Sequence, residues 1–369
     1  MNPLPGLQRF ALRLLRPRMD VPLLLAILLV ITVGLLTLAS ASGGNERLVV
    51  SQALRMGMGL AAMLVLSRIP PGQLRLWTPW LFVASLVVLM LVPVIGTGRS
   101  ARSWLNLGFF YLQPGELLKL TLPMMVAWVL HRELLPPRWR TLFLAGTVIA
   151  VPTVLIAIQP DLGTAMLVAA SGAFVVFLGG IGWWRIVAIL GMAAAAAPIG
   201  WQFLREYHRD RLRMFLNPEA DPLGAGWNII QSKIAVGSGG LFGKGWGQGS
   251  QSRLEFLPEH TTDFVFAVFS EEFGLLGVLL MLSLYLFIVG RSLWIAANAR
   301  DTWARLLGGA LALTFLVYVV VNGGMICGLL PVIGVPMPLM SYGGTSAVTL
   351  LAGFGIVMSL HAHRKMMGS

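Results

Sequence analysis

The sequence predicts an all-α polytopic membrane protein with about ten transmembrane helices and one large extracytoplasmic loop. Of its 369 residues, 57% are hydrophobic and only 11% are charged, whereas a soluble domain carries about 25% charged residues. The apolar residues gather in windows of about 20, the length that a helix needs to cross a bilayer. We expect a single membrane domain over residues 1–369, because such helices pack side by side.

Ten windows are apolar and long enough to be membrane spans. They are 22–41, 48–67, 77–95, 115–131, 141–158, 164–181, 186–203, 263–290, 306–328 and 345–361. Residues 39–41 are small, as at a signal-peptide cleavage site. The apolar run before them is long for a signal peptide, so we interpret it as the first span.

Lysine and arginine predict the orientation, because cytoplasmic loops of membrane proteins are enriched in both. With the N-terminus inside, the short outer loops hold only Arg47, Arg99 and Arg102. We therefore expect both termini in the cytoplasm, the chain in the cytoplasmic (inner) membrane, and the loop 204–262 outside. Long loops cross largely regardless of their charge. The net charge of +12 follows from the basic inner loops and does not indicate a nucleic-acid partner.

Acidic residues cluster where the long loop meets span eight. Five of the fifteen acids lie there: Glu255, Glu259, Asp263, Glu271 and Glu272. An ionisable group at or within a membrane is a functional candidate by default, because stranding it there costs free energy. Asp263 is placed at the water boundary, where it could act as a general base. Alternatively, Asp263 only begins the helix, with Thr261 or Thr262 as N-cap.

A helix that continues from Asp263 would place small residues beneath it. At 100° per residue, Ala267, Ser270 and Gly274 share the side of Asp263, which suits a groove. Glu271 would lie about 12 Å deeper, and Glu271 and Glu272 would contact neighbouring helices.

Three other outer segments supply candidate binding residues. Arg99 or Arg102 could hold a substrate phosphate, or could contact lipid headgroups beside an aromatic belt. Glu116 and Lys119 share a face of span four, either as a mutually neutralising pair or as the lining of a polar cavity. Asp161 could cap span six or belong to the site.

The long loop carries a second group of candidates. Residues 227–236 are predicted to form an amphipathic interfacial helix with Lys233 on its polar side. The glycine-rich run 237–249 contains Lys244, and glycine lets backbone N–H groups approach a ligand closely. These residues could bind a phosphate, or the run could simply be a flexible loop.

The last outer segment, 330–346, contains three prolines and therefore excludes a regular helix. Ser341, Gly343 and Gly344 precede the start of span ten. Their hydroxyl and N–H groups would lie at a helix N-terminus, which is suited to binding an anion. Simple capping of the helix is the alternative.

The sequence indicates no certain cofactor. The single Cys327 excludes an internal disulfide and a cysteine-based metal site. Glu219 and Asp221 lie in a turn and are weak candidates for a divalent cation, Mg²⁺ or Mn²⁺. No metal ligands are assigned.

Several of these motifs occur together and in order. They are Gln113-Pro114-Gly115-Glu116, Gln159-Pro160-Asp161-Leu162-Gly163-Thr164, Asp221-Pro222-Leu223-Gly224-Ala225-Gly226, Lys233-Ile234-Ala235-Val236-Gly237-Ser238-Gly239-Gly240, Gly243-Lys244-Gly245, Leu254-Glu255-Phe256-Leu257-Pro258-Glu259, Thr262-Asp263-Phe264 and Ser341-Tyr342-Gly343-Gly344. With them the chain resembles, over essentially its whole length, the SEDS family (shape, elongation, division, sporulation), and its rod-shape branch most. Gly115 departs from the family pattern, which usually has serine there.

The resemblance implies a peptidoglycan glycosyltransferase that polymerises lipid II outside the membrane for cell elongation. It implies Asp263 as the essential acid and a class B penicillin-binding protein as transpeptidase partner. Two alternatives stay open. A flippase of the lipid-linked precursor would use Glu116 and Lys119 as gating groups, and a scaffold for a synthase partner would need no essential acid.

Overall fold

The computed structural model describes residues 19–96, 103–106, 111–159, 161–203, 226–249 and 261–363, together with 206, 209, 210, 213 and 215. This part of the chain is almost entirely helical. Its helices are α1 (Val21–Ala41), α2 (Glu46–Arg68), α3 (Pro71–Ile95), α4 (Pro114–Leu130), α5 (Trp139–Ile158), α6 (Leu162–Leu178), α7 (Trp183–Phe203), α8 (Trp227–Ser238), α9 (Val265–Ala297), α10 (Thr302–Ile326) and α11 (Thr345–Ala362). Two short antiparallel strands, β1 (Leu105–Asn106) and β2 (Tyr111–Leu112), precede α4.

Seven helices of the described ranges are long and apolar enough to cross a membrane: α1, α2, α3, α5, α9, α10 and α11. This confirms the prediction of a helical, membrane-spanning chain. Helices α4, α6 and α7 occupy the other three predicted windows, and α6 is a shorter apolar helix.

Helices α2 and α11 approach each other closely because glycine lies at their contact. A Cβ atom on Gly59 would lie 3.2 Å from the Cβ of Leu351, and one on Gly355 would lie 2.6 Å from the Met63 carbonyl oxygen. Small residues allow such close packing where lipid supplies no hydrophobic driving force. The middle of α11 is thereby packed against the second half of α2.

Helix α9 is broken at Gly274, where the sequence predicted one continuous span over 263–290. Gly274 has φ 64° and ψ −167°, a conformation that glycine adopts readily and other residues do not. Residues 275–297 alone extend for about 34 Å, enough to cross a bilayer. The residues before the break form a separate half-helix that follows Asp263.

The two ends of the bundle are identified by contacts of α1. At its beginning, the Asp20 carboxylate pairs with Arg291 at 2.8 Å. At its end, Ser40 donates a hydrogen bond to Glu272. Glu272 therefore lies at the opposite end of the bundle from Arg291. The expectation that Glu271 lies about 12 Å deeper than Asp263 concerns residues before the break at Gly274 and stays a prediction.

Candidate functional site

Asp263 lies in a turn, residues 261–264, and α9 begins only at Val265. The N-cap residue is Phe264, without a side-chain capping bond, so neither Thr261 nor Thr262 caps the helix as the sequence suggested. Phe264 is buried, whereas Asp263 is half-buried. Asp263 therefore lies before the first turn of α9, and its side chain is partly exposed.

Asn322 of α10 holds this turn from below. Its side-chain amide donates hydrogen bonds of 2.8 Å to the backbone carbonyls of both Asp263 and Val335. Asn322 is fully buried, so the two bonds lie in a medium where a missing partner is costly. The sequence analysis missed this residue. The available signal was a lone amide within an otherwise apolar span.

We call residues 330–344 the proline segment; it covers the other side of Asp263. A Cβ on Gly334, which has φ 76°, would lie 3.8 Å from the Asp263 carboxylate oxygen Oδ2. The N–H of Tyr342 donates a 2.9 Å hydrogen bond to the Thr261 carbonyl. The carboxylate therefore faces an exposed glycine, and the segment is hydrogen-bonded to the same turn.

The predicted residues Ser341, Gly343 and Gly344 lie in this proline segment. The Ser341 hydroxyl accepts a hydrogen bond from the Met337 N–H and is buried, so it stabilises the segment. The Gly343 N–H donates to the Gln52 side chain of α2 at 3.2 Å. Gly344 is the N-cap of α11 and makes no side-chain capping bond.

Glu116 and Lys119 form a buried ion pair of 2.7 Å between α4, α10 and α11. Thr349 donates to the second oxygen of Glu116 at 3.0 Å, and Lys119 donates to the Tyr318 hydroxyl. Of the two alternatives, this geometry corresponds to the mutually neutralising pair. A cavity of about 30 Å³ borders Lys119, Tyr318 and Thr349, which is room for about one water molecule.

Asp161 caps α6, accepting a 3.1 Å hydrogen bond from the Thr164 N–H. It also accepts a 2.7 Å bond from the Gln113 side chain. A Cβ on Gly163 would collide with the Ile333 carbonyl, so the start of α6 touches the proline segment. Asp161 therefore has a structural role and also lies near the Asp263 end of the bundle.

Gly115, which departs from the family pattern, is explained by its neighbour. A Cβ at this position would lie 2.6 Å from the Thr164 methyl carbon. A serine there would require Thr164 to shift, so glycine is compatible with this packing.

Lys233 is exposed on α8, and its side chain packs against Gly328 just beyond α10. The neighbouring Ser232 donates a 3.0 Å hydrogen bond to the Ile326 carbonyl and joins α8 to the end of α10. Lys233 forms no ion pair with the described residues, so its charge is available to a ligand.

Lys244 lies instead in an ion pair with Glu271, at 2.6 Å. The glycine-rich loop around it crosses the break in α9, with the Lys244 N–H bonded to the Glu271 carbonyl and the Leu275 N–H to the Gly240 carbonyl. Glu272 accepts from the Gly247 N–H at 3.0 Å. The loop is thus attached to α9 in a defined conformation. Glu271 contacts this loop, and Glu272 contacts the neighbouring helix α1 through Ser40.

The small residues predicted to share the side of Asp263 lie in two different environments. Ala267 is fully buried, whereas Ser270 and Gly274 line a largely apolar cavity of about 520 Å³ between α8, α9 and α10.

Arg102 and Glu259 lie outside the described residues, as do Arg99, Glu219 and Asp221. Within the described ranges, no three His, Cys, Asp or Glu side chains converge in a way that could hold a metal ion.

The fold and site thus define a polytopic helical membrane protein in which the half-buried carboxylate of Asp263 is held at one end of the bundle. The chain matches the model of the FtsW/RodA/SpoVE family, described as cell cycle proteins, over residues 17–366. It belongs to this family, which confirms the resemblance drawn from its motifs.

Individual proteins agree. Peptidoglycan glycosyltransferase MrdB of Escherichia coli strain K12 is 48% identical over 351 residues, covering 95% of each chain. A chain in the structure of a peptidoglycan synthase complex that coordinates polymerization and crosslinking is 33% identical, with a TM-score of 0.83, covering 94% of this chain and 99% of that chain. The Thermus thermophilus rod shape determining protein RodA is 30% identical, with a TM-score of 0.71, covering 94% of this chain and 97% of its own.

Proposed function

We propose that this chain polymerises lipid II into glycan strands at the outer face of the cytoplasmic membrane, with Asp263 as general base, for cell elongation and rod shape. The chain is a peptidoglycan glycosyltransferase, as its relatives are named. The observation that carries the proposal is the arrangement of Asp263. Its backbone is held by Asn322, while its carboxylate faces the exposed Gly334.

The reaction needs a base and a stabilised leaving group. Asp263 accepts the proton of the acceptor sugar hydroxyl as the hydroxyl oxygen attacks the anomeric carbon of the donor. The bond from that carbon to the diphosphate oxygen breaks, and the diphosphate leaves with the electron pair, still attached to its polyprenyl chain. In-line displacement of an α-linked diphosphate gives a β linkage, so the enzyme is inverting.

Basic groups and helix N-termini near Asp263 would stabilise the departing diphosphate. Lys233 is exposed, and α6 and α11 both begin next to the proline segment. The exposed position of Lys233 supports a role for this side chain in binding substrate. The glycines of the proline segment support the same role for that segment.

For topology, we propose ten spans within one domain over residues 1–369, both termini in the cytoplasm, and the loop 204–262 outside. Ten described helices lie in the predicted windows, and the basic residues favour this orientation. Cysteine labelling from outside the cell tests it. We expect a cysteine introduced at position 244 to be labelled from outside and one introduced at position 75 not to be labelled. The reverse pattern would exclude this orientation.

As partner we propose a class B penicillin-binding protein that crosslinks the strands. Support comes from the solved relative, which is part of a peptidoglycan synthase complex. Co-purification of the two proteins from membranes in mild detergent tests the proposal, and independent elution of both would contradict it.

The flippase hypothesis required Glu116 and Lys119 to act as gating groups. In the structure they are bonded to each other and almost fully buried, which favours a static role and so the enzyme.

The test is polymerisation by purified protein. Wild type, Asp263→Ala and the control Glu46→Gln, which removes an exposed carboxylate at the start of α2, are incubated with lipid II and a divalent cation, with and without the partner. We expect glycan polymer from wild type and the control only. No polymer from wild type with partner would refute the activity, and polymer from Asp263→Ala would refute the role of Asp263.

A further inference from the structure

We propose that the N-terminus of α11, together with Arg55 of α2 and the hydroxyl of Thr345, binds the diphosphate of the lipid-linked substrate. The inference rests on the proposed function and assigns a binding site to its leaving group, the diphosphate. Three independent features of the described residues support an anion at this position.

The first feature is an uncapped helix start. The first N–H groups of any helix lack intrahelical partners, and the helix dipole places partial positive charge there. Gly344 precedes α11 and has no side chain that could cap it. The first turn of this 18-residue helix therefore offers N–H donors to an external acceptor.

The second feature is a buried hydroxyl at the same place. Thr345 is the first residue of α11 and only 8% exposed. Its Oγ1 has no hydrogen-bond partner. Burying a hydroxyl without a partner costs stability, and a bound oxyanion would accept the missing hydrogen bond.

The third feature is a cation beside the helix start. The Arg55 guanidinium lies 4.5 Å from the centre of the Tyr342 ring. One turn earlier on α2, the Gln52 side chain donates to the Ser341 carbonyl at 3.0 Å and accepts from the Gly343 N–H. These contacts fix Arg55 next to the residues that lead into α11.

Arg55 has no ion pair with any carboxylate of the described ranges. Glu116, which contacts α11 through Thr349, is already paired with Lys119. A cation within a span requires a partner or a polar cavity, and a cation beside the positive end of a helix is unfavourable. An anion between the two would remove both penalties.

The location suits the chemistry. Tyr342, whose ring stacks on Arg55, donates its N–H to the Thr261 carbonyl at 2.9 Å. The anion site and Asp263 are therefore joined through one hydrogen-bonded segment. A base and an anion site that both border the proline segment could contact the two reacting ends of one bound substrate.

Binding is measured first without turnover. Asp263→Ala protein in nanodiscs of neutral phosphatidylcholine is titrated with a polyprenyl diphosphate, alone and combined with Arg55→Gln, Arg55→Lys or Thr345→Val. Because hydrogen bonds to charged groups are strong, we expect Arg55→Gln to weaken binding about ten- to a hundredfold, and Arg55→Lys to recover part of the loss. The control Arg47→Gln removes an exposed arginine of the same helix and should change nothing.

Thr345→Val separates binding from folding. The Thr345 hydroxyl has no partner within the protein, so its removal should preserve or raise the thermal stability while it weakens diphosphate binding severalfold. In Asp263-containing protein, Arg55→Gln should raise KM for lipid II more than it lowers kcat.

Unchanged diphosphate affinity in both Arg55→Gln and Thr345→Val would overturn the proposal, even if wild type polymerises lipid II. A third arm exchanges phosphatidylcholine for phosphatidylglycerol. If anionic phospholipid abolishes diphosphate binding and stabilises wild type but not Arg55→Gln, the site takes membrane phosphates, and the substrate assignment is wrong.

Discussion

The two ends of the helix bundle each contain an aspartate next to a helix start, and the two are held differently. Asp20 caps α1 through the Leu23 N–H. It also accepts three bonds from the Arg291 guanidinium, one of 3.0 Å to its Oδ1 and two of 2.8 Å and 3.2 Å to its Oδ2. It is only 2% exposed. Asp263 is half-buried and held through its backbone carbonyl by Asn322.

The difference separates a carboxylate with a structural role from the carboxylate that we propose as the general base. At the Asp20 end, both charge and hydrogen bonds are compensated within the protein, and α1 is joined to α9. At the Asp263 end, the fold secures the main chain and directs the side chain toward an exposed glycine. Substitution should therefore affect stability at one end and catalysis at the other.

The largest effect is expected from Asp263→Asn. Removing a general base costs about 10²- to 10⁴-fold in rate, whereas the backbone bond to Asn322 remains. Polymerisation should be lost without a fall in melting temperature. The lipid II assay measures the activity and thermal unfolding measures the stability. A large loss of stability would mean that Asp263 has a structural role like that of Asp20.

Asp20→Ala should show the opposite behaviour. Removing one partner of a fully buried ion pair costs about 3–5 kcal/mol of stability. Arg291 is partly exposed, so we expect a smaller but clear loss of stability. Activity per folded molecule should stay near wild type. Thermal unfolding in detergent and activity normalised to folded protein test this prediction. A fall in kcat per folded molecule as large as the loss of folded protein would contradict it.

Asn322→Ala connects the two classes. It leaves the carbonyls of Asp263 and Val335 without their donor, which costs about 1–3 kcal/mol and lets the catalytic turn move. We expect kcat to fall with little change in KM. Asn298→Ala, at the end of α9 and exposed, is the control. A loss of stability with unchanged kcat would refute a positioning role for Asn322.

The Asp20 end should also weaken in acid. Burial raises the pKa of Asp20, but the Arg291 hydrogen bonds and charge outweigh it, so the pKa lies below its ordinary value. A depressed pKa contributes stability that is present above the unfolded pKa of about 3.9 and is lost as pH falls through the folded pKa. Melting temperature below about pH 4 should therefore fall less steeply in Asp20→Asn than in wild type. Parallel curves would contradict this.

The smallest effect concerns Gly115. Gly115→Ser would press against the Thr164 methyl, 2.6 Å from the new Cβ, and overpacking typically costs about 1–3 kcal/mol. Thr164→Ser removes that methyl and keeps the hydroxyl, so the double variant should recover the stability lost. A double-mutant cycle measures the coupling, and additive effects would exclude the proposed contact.

Much of this was determined by the sequence alone. Apolar length predicts membrane spans, and ordered motifs predict the family, because both are properties of local composition and spacing. Asp263 stands out for the same reason, as an acid where a polar loop meets an apolar run. The alternatives for Glu116 with Lys119, and for Asp161, could be named but not separated, because each depends on which side chain from another helix comes within 3 Å or so.

Tertiary structure decided the rest. Gly274 breaks α9 because the glycine-rich loop packs against it; a single glycine in an apolar run does not reveal this. Asn322 acquires its role from carbonyls on two other segments. Arg55 meets the start of α11 only because close packing of α2 on α11 brings together residues almost three hundred positions apart. Such contacts depend on the relative placement of whole helices, which the spacing of residues within one helix does not specify.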